Sequence, residues 1–272
     1  MSQNPSPLQL KEAVRDFWNA EPCGTRYLGS HQDFEAQARA RYTLEPFIPE
    51  FAQFAGSRGL RVLEVGVGMG ADYLEWLKAG AIASGVDLSQ ASLNIARYRA
   101  EAYGFTPDLQ LADAEQLPFA DETFDVVYSY GVMHHSPNTA QCIKEALRVL
   151  KPGGQARIMV YHHPSMTGLL LWLRYGVGRK SLRRAVYDHL ESPGTKSYTP
   201  AEACVLMDGF ENIQTKVVFS PGDLLLNAPS LRFQSIMYRA VWKLYPRKLV
   251  QVIGKSWGLF LLITAQKSYT ST

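Results

Sequence analysis

The sequence has few cysteines and no long apolar run. Its three cysteines, Cys23, Cys142 and Cys204, are far apart and follow no metal-ligand spacing, which argues against a disulfide framework and a zinc site. The most apolar stretches, residues 168–173 and 257–265, are too short to span a bilayer. The first residues lack the basic region and apolar run of a signal peptide. We therefore expect a cytoplasmic protein.

Acidic residues are scarce at one end of the chain. Residues 1–163 hold 14 Lys and Arg against 19 Asp and Glu, whereas residues 164–272 hold 14 against 6. No Asp or Glu follows Asp223. The overall composition, 46% hydrophobic and 19% charged over 272 residues, is typical of a globular protein with a substantial core. The basic excess is therefore a local feature of the C-terminal part.

Predicted strands and helices alternate through the middle of the chain. Segments with helical periodicity separate five short apolar runs that predict strands, namely residues 61–67, 83–88, 108–113, 125–130 and 155–162. This alternation is typical of an α/β fold with a doubly wound, Rossmann-like, mostly parallel sheet. Two later runs, 211–220 and 257–267, predict the last of seven strands.

The same pattern predicts three regions. We expect residues 1–59 to form a helical N-terminal cap, residues 60–163 the core of the sheet, and residues 164–272 a lid and the last strands of the same domain. The segments expected to form the lid, 164–190 and 224–256, are basic and rich in Leu, Trp and Tyr. They suit an anionic amphiphile or a peripheral contact with an anionic membrane, or they are ordinary amphipathic helices with solvated basic residues. No RNA-binding or base-reading motif accompanies them, so we expect no nucleic acid partner.

A glycine loop lies at the start of the core, in the stretch VLEVGVGMGADYL. Gly66, Gly68 and Gly70 fall between a predicted buried strand and a helix, where glycine permits a tight turn and close approach by a ligand. Gly66, Gly68 and Ala71 also satisfy G-x-G-x-x-G/A, so the loop alone leaves an NAD-dependent dehydrogenase open. Asp87 ends the next predicted strand, where a carboxylate can accept both hydroxyls of a ribose.

Further motifs follow in a fixed order. Asp113–Ala114 ends the third predicted strand, LPFADETFDVV leads into the fourth, and EALRVLKPGG joins the fourth to the fifth. In this combination the sequence resembles the class I S-adenosylmethionine-dependent methyltransferases of small molecules, and it is most similar to the ubiquinone and menaquinone biosynthesis branch. The resemblance covers residues 60–163. A nicotinamide enzyme would not be expected to carry the later motifs. FWNAEPCGTRYL and ARARYTLEPFI resemble the N-terminal cap of one subset of the family.

The resemblance implies S-adenosyl-L-methionine as the cofactor and a role for each matching residue. The three glycines would pack against the methionine part and the ribose, and Glu64 would orient their loop or contact the cofactor's amino group. Asp87 would bind the ribose, and Asp113 would bind the adenine amino group. The other implied cofactor-binding residues are Leu88, Ala114, Ser129 and Tyr130, and the residues expected in the cap, near the cofactor or the acceptor, are Tyr27, Arg41 and Tyr42.

Four of the six histidines form two doublets, His134–His135 after the fourth strand and His162–His163 after the fifth. The family topology places these strands side by side, so both doublets, with Tyr161, would reach the edge where ligands bind. Three interpretations stay open. His134 or His135 acts as a general base, several histidines bind a metal ion, or the first doublet shapes the pocket. Methyl transfer itself mainly needs in-line positioning.

These observations predict transfer of a methyl group to an O, N or C atom of a small-molecule acceptor. An apolar acceptor with an acidic group is one candidate, because the expected lid is basic and apolar. A non-catalytic protein that binds S-adenosylmethionine on the same fold is the alternative from a different class. An NAD-dependent dehydrogenase is the third hypothesis, and the cofactor that stabilises the protein would separate it from the other two.

Overall fold

One seven-stranded sheet organises the fold. A computed structural model describes residues 6–20, 30–192, 194–226 and 243–269. The strand order is β3-β2-β1-β4-β5-β7-β6, and β7 alone runs opposite to the other six strands. The strands are β1 (Arg61–Val65), β2 (Ile82–Asp87), β3 (Asp108–Leu111), β4 (Phe124–Tyr130), β5 (Leu150–Tyr161), β6 (Phe210–Val218) and β7 (Phe260–Lys267). The predicted fold class is confirmed.

Helices cover both faces of this sheet and form the N-terminal part. They are α1 (Pro7–Ala20), α2 (His31–Leu44), α3 (Ile48–Ala52), α4 (Ala71–Lys78), α5 (Gln90–Ala102), α6 (Thr139–Val149), α7 (Met166–Tyr175), α8 (Leu182–His189), α9 (Pro200–Leu206) and α10 (Arg247–Ile253). Side-chain caps fix several N-termini: Ser30 and Asp33 form a capping box before α2, and Thr199 and Glu202 form one at α9. Within the described ranges, no helix is long and apolar enough to cross a membrane.

The core consists of two apolar clusters, one on each face of the sheet. Strand β1 is buried from Val62 to Val65, as expected of a parallel strand covered on both sides. One cluster includes Leu63 and α6, and the other includes Trp76 and Tyr128. A sheet packed in this way holds the loops at the carboxyl ends of its strands in fixed positions, which is where α/β folds bind ligands.

Strand ends differ from the predicted ones by a few residues. Strand β1 ends at Val65 because the glycine turn follows at once, and β3 ends at Leu111. Strand β5 begins at Leu150, five residues earlier than predicted, because Leu150 pairs with Phe124 before a bulge. The KPGG residues therefore belong to β5, although the sequence predicts a turn there, before the strand.

A short segment of the C-terminal part crosses the loop that follows β4. We call residues 194–198 the strap. Its Lys196 amide donates to the His134 carbonyl at 3.0 Å, and Lys196 Nζ donates to the carbonyls of Ser136 and Pro137. Tyr198 forms a bridge with His162 at the end of β5. The strap thus fixes the first histidine doublet to the C-terminal part of the fold.

Candidate active site

A cavity of about 380 Å³ lies at the carboxyl ends of β1, β2, β3 and β4. Its volume is in the range of small-molecule sites. The glycine loop and the loops after the strands form one wall, and α1 and α2 form the other. The cavity brings together ten predicted site residues: Arg41, Glu64, Gly66, Gly68, Asp87, Leu88, Asp113, Ala114, Tyr130 and His135.

The glycine loop needs glycine for two different reasons. Gly66 and Gly68 have φ of 83° and 50°, and a Cβ at Gly66 would lie 2.1 Å from the Val132 side chain. No described atom lies within 4 Å of a Cβ built at Gly68, which leaves room for a ligand against the backbone. Gly70 does not line the cavity, because its Cβ position meets Ala96 at 2.8 Å. Gly70 therefore allows α4 to pack on α5.

Asp87 presents a fixed carboxylate at the end of β2. The Gly68 amide donates to its Oδ2 at 2.9 Å, and the Ser89 amide donates to its Oδ1 at 2.8 Å. Burial raises the pKa of Asp87, and these backbone hydrogen bonds oppose the rise. Each oxygen keeps a further lone pair. The arrangement fits the two hydroxyls of a ribose.

Asp113 is held by the N-terminal helix. Lys11 Nζ donates to Asp113 Oδ2 and to Glu115 Oε2, both at 2.6 Å. Burial lowers the pKa of Lys11, but the two carboxylates outweigh it and leave the pKa raised. Val14 and Trp18 of α1 line the cavity beside Lys11. The structure therefore places Asp113 beside the cavity with α1 across it. Sequence reasoning missed Lys11, because nothing local links it to residues about a hundred positions away.

Arg41 and Tyr42 of α2 both contact Asp72 in the first turn of α4. Arg41 donates Nε to Oδ1 at 2.9 Å and Nη2 to Oδ2 at 2.6 Å, while its guanidinium lies 5.0 Å from the centre of the Tyr130 ring. Tyr42 donates to Oδ1 at 3.0 Å and does not line the cavity. Burial alone would raise the pKa of Asp72, yet Arg41 and the hydroxyls of Tyr128 and Tyr42 lower it. Asp72 was not predicted, since its sequence neighbours gave it no role.

The first histidine doublet divides into two environments. His134 is fully buried, packs on the Tyr161 ring with centroids 4.0 Å apart, and does not line the cavity. Burial lowers the pKa of His134 well below its usual value, and neither ring nitrogen has a hydrogen-bond partner among the described residues. His135 lines the cavity beside Trp18, with ring centroids 5.4 Å apart. The geometry therefore favours His135 over His134 for any contact with a ligand.

Residues just before and within the strap hold His135. Its Nδ1 lies 2.8 Å from Ser192 Oγ and 3.1 Å from Thr195 Oγ1. Thr195 donates its own hydroxyl proton to the Ser192 carbonyl at 2.7 Å, so it can only accept from Nδ1. Nε2 lies 3.4 Å from Glu191 Oε2 without hydrogen-bond geometry. With a proton on Nδ1, Thr195 accepts it and Nε2 is left to accept another beside a carboxylate; with a proton on Nε2, Glu191 faces that proton and Ser192 can donate to Nδ1.

The second doublet lies away from the cavity. His162 Nδ1 is 2.8 Å from the Gly258 carbonyl, and His163 Nε2 is 3.7 Å from Glu202 Oε2. Tyr161 donates to Glu191 at 2.7 Å and also stays off the cavity wall. The structure therefore does not bring both doublets to one site. Across the part of the chain that the structure describes, no three His, Cys, Asp or Glu side chains form a group suited to a metal ion.

Ser129 is buried and donates to the Val65 carbonyl at 3.1 Å, so it ties β4 to β1 and does not line the cavity. Tyr27 lies outside the described residues.

Comparison with known proteins places this architecture in a family. A family model described as a methyltransferase domain matches residues 63–158. Methyltransferase GfsG of Streptomyces halstedii is 40% identical over 106 residues, which cover 38% of each protein. Demethylmenaquinone methyltransferase of Tropheryma whipplei (strain Twist) is 32% identical over 168 residues, 58% of this chain and 69% of that protein. The fold is similar to that of geranyl diphosphate C-methyltransferase from Streptomyces coelicolor A3(2), with a TM-score of 0.63 and 18% identity over 95% of this chain and 98% of that one.

The match to the demethylmenaquinone enzyme covers more than two thirds of that protein, whereas the match to GfsG covers little more than a third of GfsG. The chain belongs to the class I S-adenosylmethionine-dependent methyltransferases. The predicted family is confirmed, and the cavity fits the family's cofactor: Asp87 presents a fixed carboxylate for a ribose, and the space at Gly68 admits a ligand against the backbone.

Proposed function

We propose that this protein transfers a methyl group from S-adenosylmethionine to a small-molecule acceptor. The observation that carries the proposal is the Asp87 carboxylate, fixed by two backbone amides at the wall of a cavity whose glycine loop leaves space for a ligand. When bound, the cofactor supplies an electrophilic methyl group on a sulfonium. Asp87 would hold the ribose, Asp113 the adenine, and Glu64 and Tyr130 would lie at the methionine end.

The protein's main contribution would be to position the acceptor and exclude water. Helix α1 crosses the cavity through Val14 and Trp18 and is fixed to the sheet by Lys11. His135 would take the proton of an O, N or C acceptor at Nε2, and the adjacent Glu191 would stabilise the resulting imidazolium. We further propose that residues 1–59 act as the cap, 60–163 bind the cofactor and 164–272 cover the acceptor.

The charges around the cavity favour an apolar acceptor. Lys11 and Arg41, the cationic side chains that line it within the described ranges, are already paired with Asp113, Glu115 and Asp72. An acidic group on the acceptor would therefore find its countercharge outside the cavity, on the basic surface of the lid. The name of one relative, demethylmenaquinone methyltransferase, supports the same class of acceptor.

A peripheral contact with an anionic membrane would fit this class of acceptor. Exposed apolar side chains and basic residues share the same short elements: Leu173 and Arg174 on α7, and Lys248, Leu249 and Val252 on α10. Such a surface would let the protein collect a lipophilic acceptor from a bilayer.

The test begins with ligand binding and ends with methyl transfer. We expect S-adenosylhomocysteine to raise the melting temperature and NAD to leave it unchanged. Methyl-labelled S-adenosylmethionine incubated with the protein and a cell extract should then place label in the organic phase. Label in the aqueous phase would contradict the apolar acceptor. Binding without label in either phase would favour a non-catalytic binding protein, and stabilisation by NAD alone would overturn the proposal.

A further inference from the structure

Two acidic side chains at one end of the cavity each have a carboxylate oxygen without a hydrogen bond among the described residues. Glu64 of β1 is 3% exposed and lines the cavity, yet its Oε2 has no hydrogen-bond partner within the described ranges. Glu45, which follows α2, also lines the cavity, and its buried Oε2 likewise has none. A buried carboxylate oxygen without a donor is costly unless a ligand supplies one. This end of the cavity therefore suits a ligand group that carries several hydrogen-bond donors, and a positively charged one best.

Arg41, the cation near these two carboxylates, is already paired with Asp72. Arg41 makes its two short contacts with Asp72 and approaches Glu45 Oε2 only at 3.7 Å, through Nη1. Burial raises the pKa of Glu64 and of Glu45, and Asp72 raises both further, while Arg41, Trp76 beside Glu64 and Tyr130 beside Glu45 oppose the rise. The Arg41 guanidinium is therefore the counter-charge for three carboxylates, those of Asp72, Glu45 and Glu64. An additional cation would restore the balance and keep Glu45 and Glu64 ionised.

The order of the strands indicates which part of the cofactor meets these side chains. Asp87 and Asp113 follow β2 and β3, so they mark the nucleoside end of the cavity. Glu64 on β1 and Tyr130 on β4 mark the opposite end, beside Glu45. The buried hydroxyl of Tyr130 also lacks a hydrogen bond of ordinary geometry among the described residues. A ligand that reaches from one end to the other must therefore place its distal polar groups near Glu45.

We infer that Glu45, together with Glu64, receives the ammonium group of the methionine part of the cofactor. The inference rests on the proposed function. An ammonium has three donors and no acceptor, so it can satisfy both unpartnered carboxylate oxygens at once. Glu45 directly follows the cap helix, whereas Glu64 belongs to the sheet. The same contact would draw the cap onto the bound cofactor.

A pair of ligands that differ by the amino-acid part tests the inference. Calorimetry would measure the binding of this pair, S-adenosylhomocysteine and 5′-methylthioadenosine, and of S-adenosylmethionine to the wild type, to Glu45→Gln and to Glu35→Gln. A hydrogen bond to a charged group is worth roughly 1.5–3 kcal/mol, so Glu45→Gln should weaken S-adenosylhomocysteine about tenfold or more. It should leave methylthioadenosine within about twofold, because that ligand has no ammonium. Glu35, exposed on α2, is the matched control and should change neither affinity.

A second measurement compares the wild type with Glu45→Gln. The analogue of S-adenosylhomocysteine that lacks only the amino group should bind about tenfold more weakly, and Glu45→Gln should weaken it no further. Equal losses for both ligands of the pair would mean that Glu45 supports the cap alone, and would overturn the inference. A loss confined to S-adenosylmethionine, with none for S-adenosylhomocysteine, would assign Glu45 to the sulfonium and overturn it as well. If the wild type bound none of these ligands, the proposed function itself would fail.

Discussion

Arg41 and Asp72 form a two-pronged ion pair that joins α2 to the first turn of α4, with Nε–Oδ1 and Nη2–Oδ2 distances of 2.9 and 2.6 Å. Asp72 is 3% exposed and also accepts hydrogen bonds from the hydroxyls of Tyr42 and Tyr128. The pair connects the N-terminal part of the chain to the helix that follows the glycine loop. Its loss would leave a buried carboxylate without its main counter-charge.

The first prediction concerns that pair. Arg41→Met should lower the free energy of unfolding by about 3 kcal/mol, since removing one partner of a buried pair leaves the other charge uncompensated. Arg39→Met on the exposed side of the same helix should change it by about 0.5 kcal/mol or less, because the contact of Arg39 with Glu35 is at the surface. Urea unfolding measures both, and equal effects would show that the pair contributes no more than a surface contact.

Asp87 yields a prediction for binding. Asp87→Ala should weaken S-adenosylhomocysteine by an order of magnitude or more, because hydrogen bonds to a charged group are worth roughly 1.5–3 kcal/mol each. Asp16→Ala, an exposed position on α1, serves as the control and should leave the affinity unchanged. Isothermal calorimetry gives both dissociation constants. Unchanged binding by Asp87→Ala would refute the ribose assignment.

The alternation of strands and helices and the glycine turn were predictable, because each depends on residues adjacent in sequence. The apolar run of β1, the glycines after it and the acid at the end of β2 all lie within a few residues of the feature they define. The contacts of Lys11 with Asp113 and of Arg41 with Asp72 were not predictable. Each joins residues that only the folded topology brings together, and a lone Lys or Arg on an amphipathic helix usually faces solvent.

The histidine doublets show the same limit at closer range. The sequence places His134 and His135 on one loop, but adjacent residues in a helical turn point in different directions, so one is buried and the other lines the cavity. Glu191, the carboxylate beside His135, lies 56 residues further along the chain, in a region where the sequence shows no motif.

Glu64 should make stability depend on pH. Burial raises the pKa of Glu64 well above its usual value, so its neutral form favours the folded state. That contribution is complete below the unfolded pKa of about 4.3 and is lost as the pH rises toward the folded value. Without ligand, Glu64→Gln should therefore gain stability relative to wild type between pH 5 and pH 8. Urea unfolding across this range tests it, and a difference independent of pH would contradict the assignment.

His135 is expected to affect turnover more than cofactor affinity. Once the labelling experiment has identified an acceptor, His135→Ala should lower the rate of methyl transfer by about a hundredfold, within the usual range for a general base. Its affinity for S-adenosylhomocysteine should change little. His162→Ala, away from the cavity, is the control. A normal rate for His135→Ala would leave His135 with a shape-forming role only.

Helix α1 has a kinetic consequence. It crosses the cavity and is held by Lys11 on two carboxylates and, at its other end, by Ser89, whose hydroxyl donates to Asn19 Oδ1 at 2.8 Å. We expect a spent cofactor to leave when α1 moves away from the cavity, so the residence time of the product would depend in part on the Lys11 ammonium group. Salt weakens partly exposed contacts of this kind, and we expect product release to accelerate with ionic strength even where the chemical step does not. The rate of product release, and with it the duration of the catalytic cycle, would then depend on a partly exposed contact away from the reacting atoms.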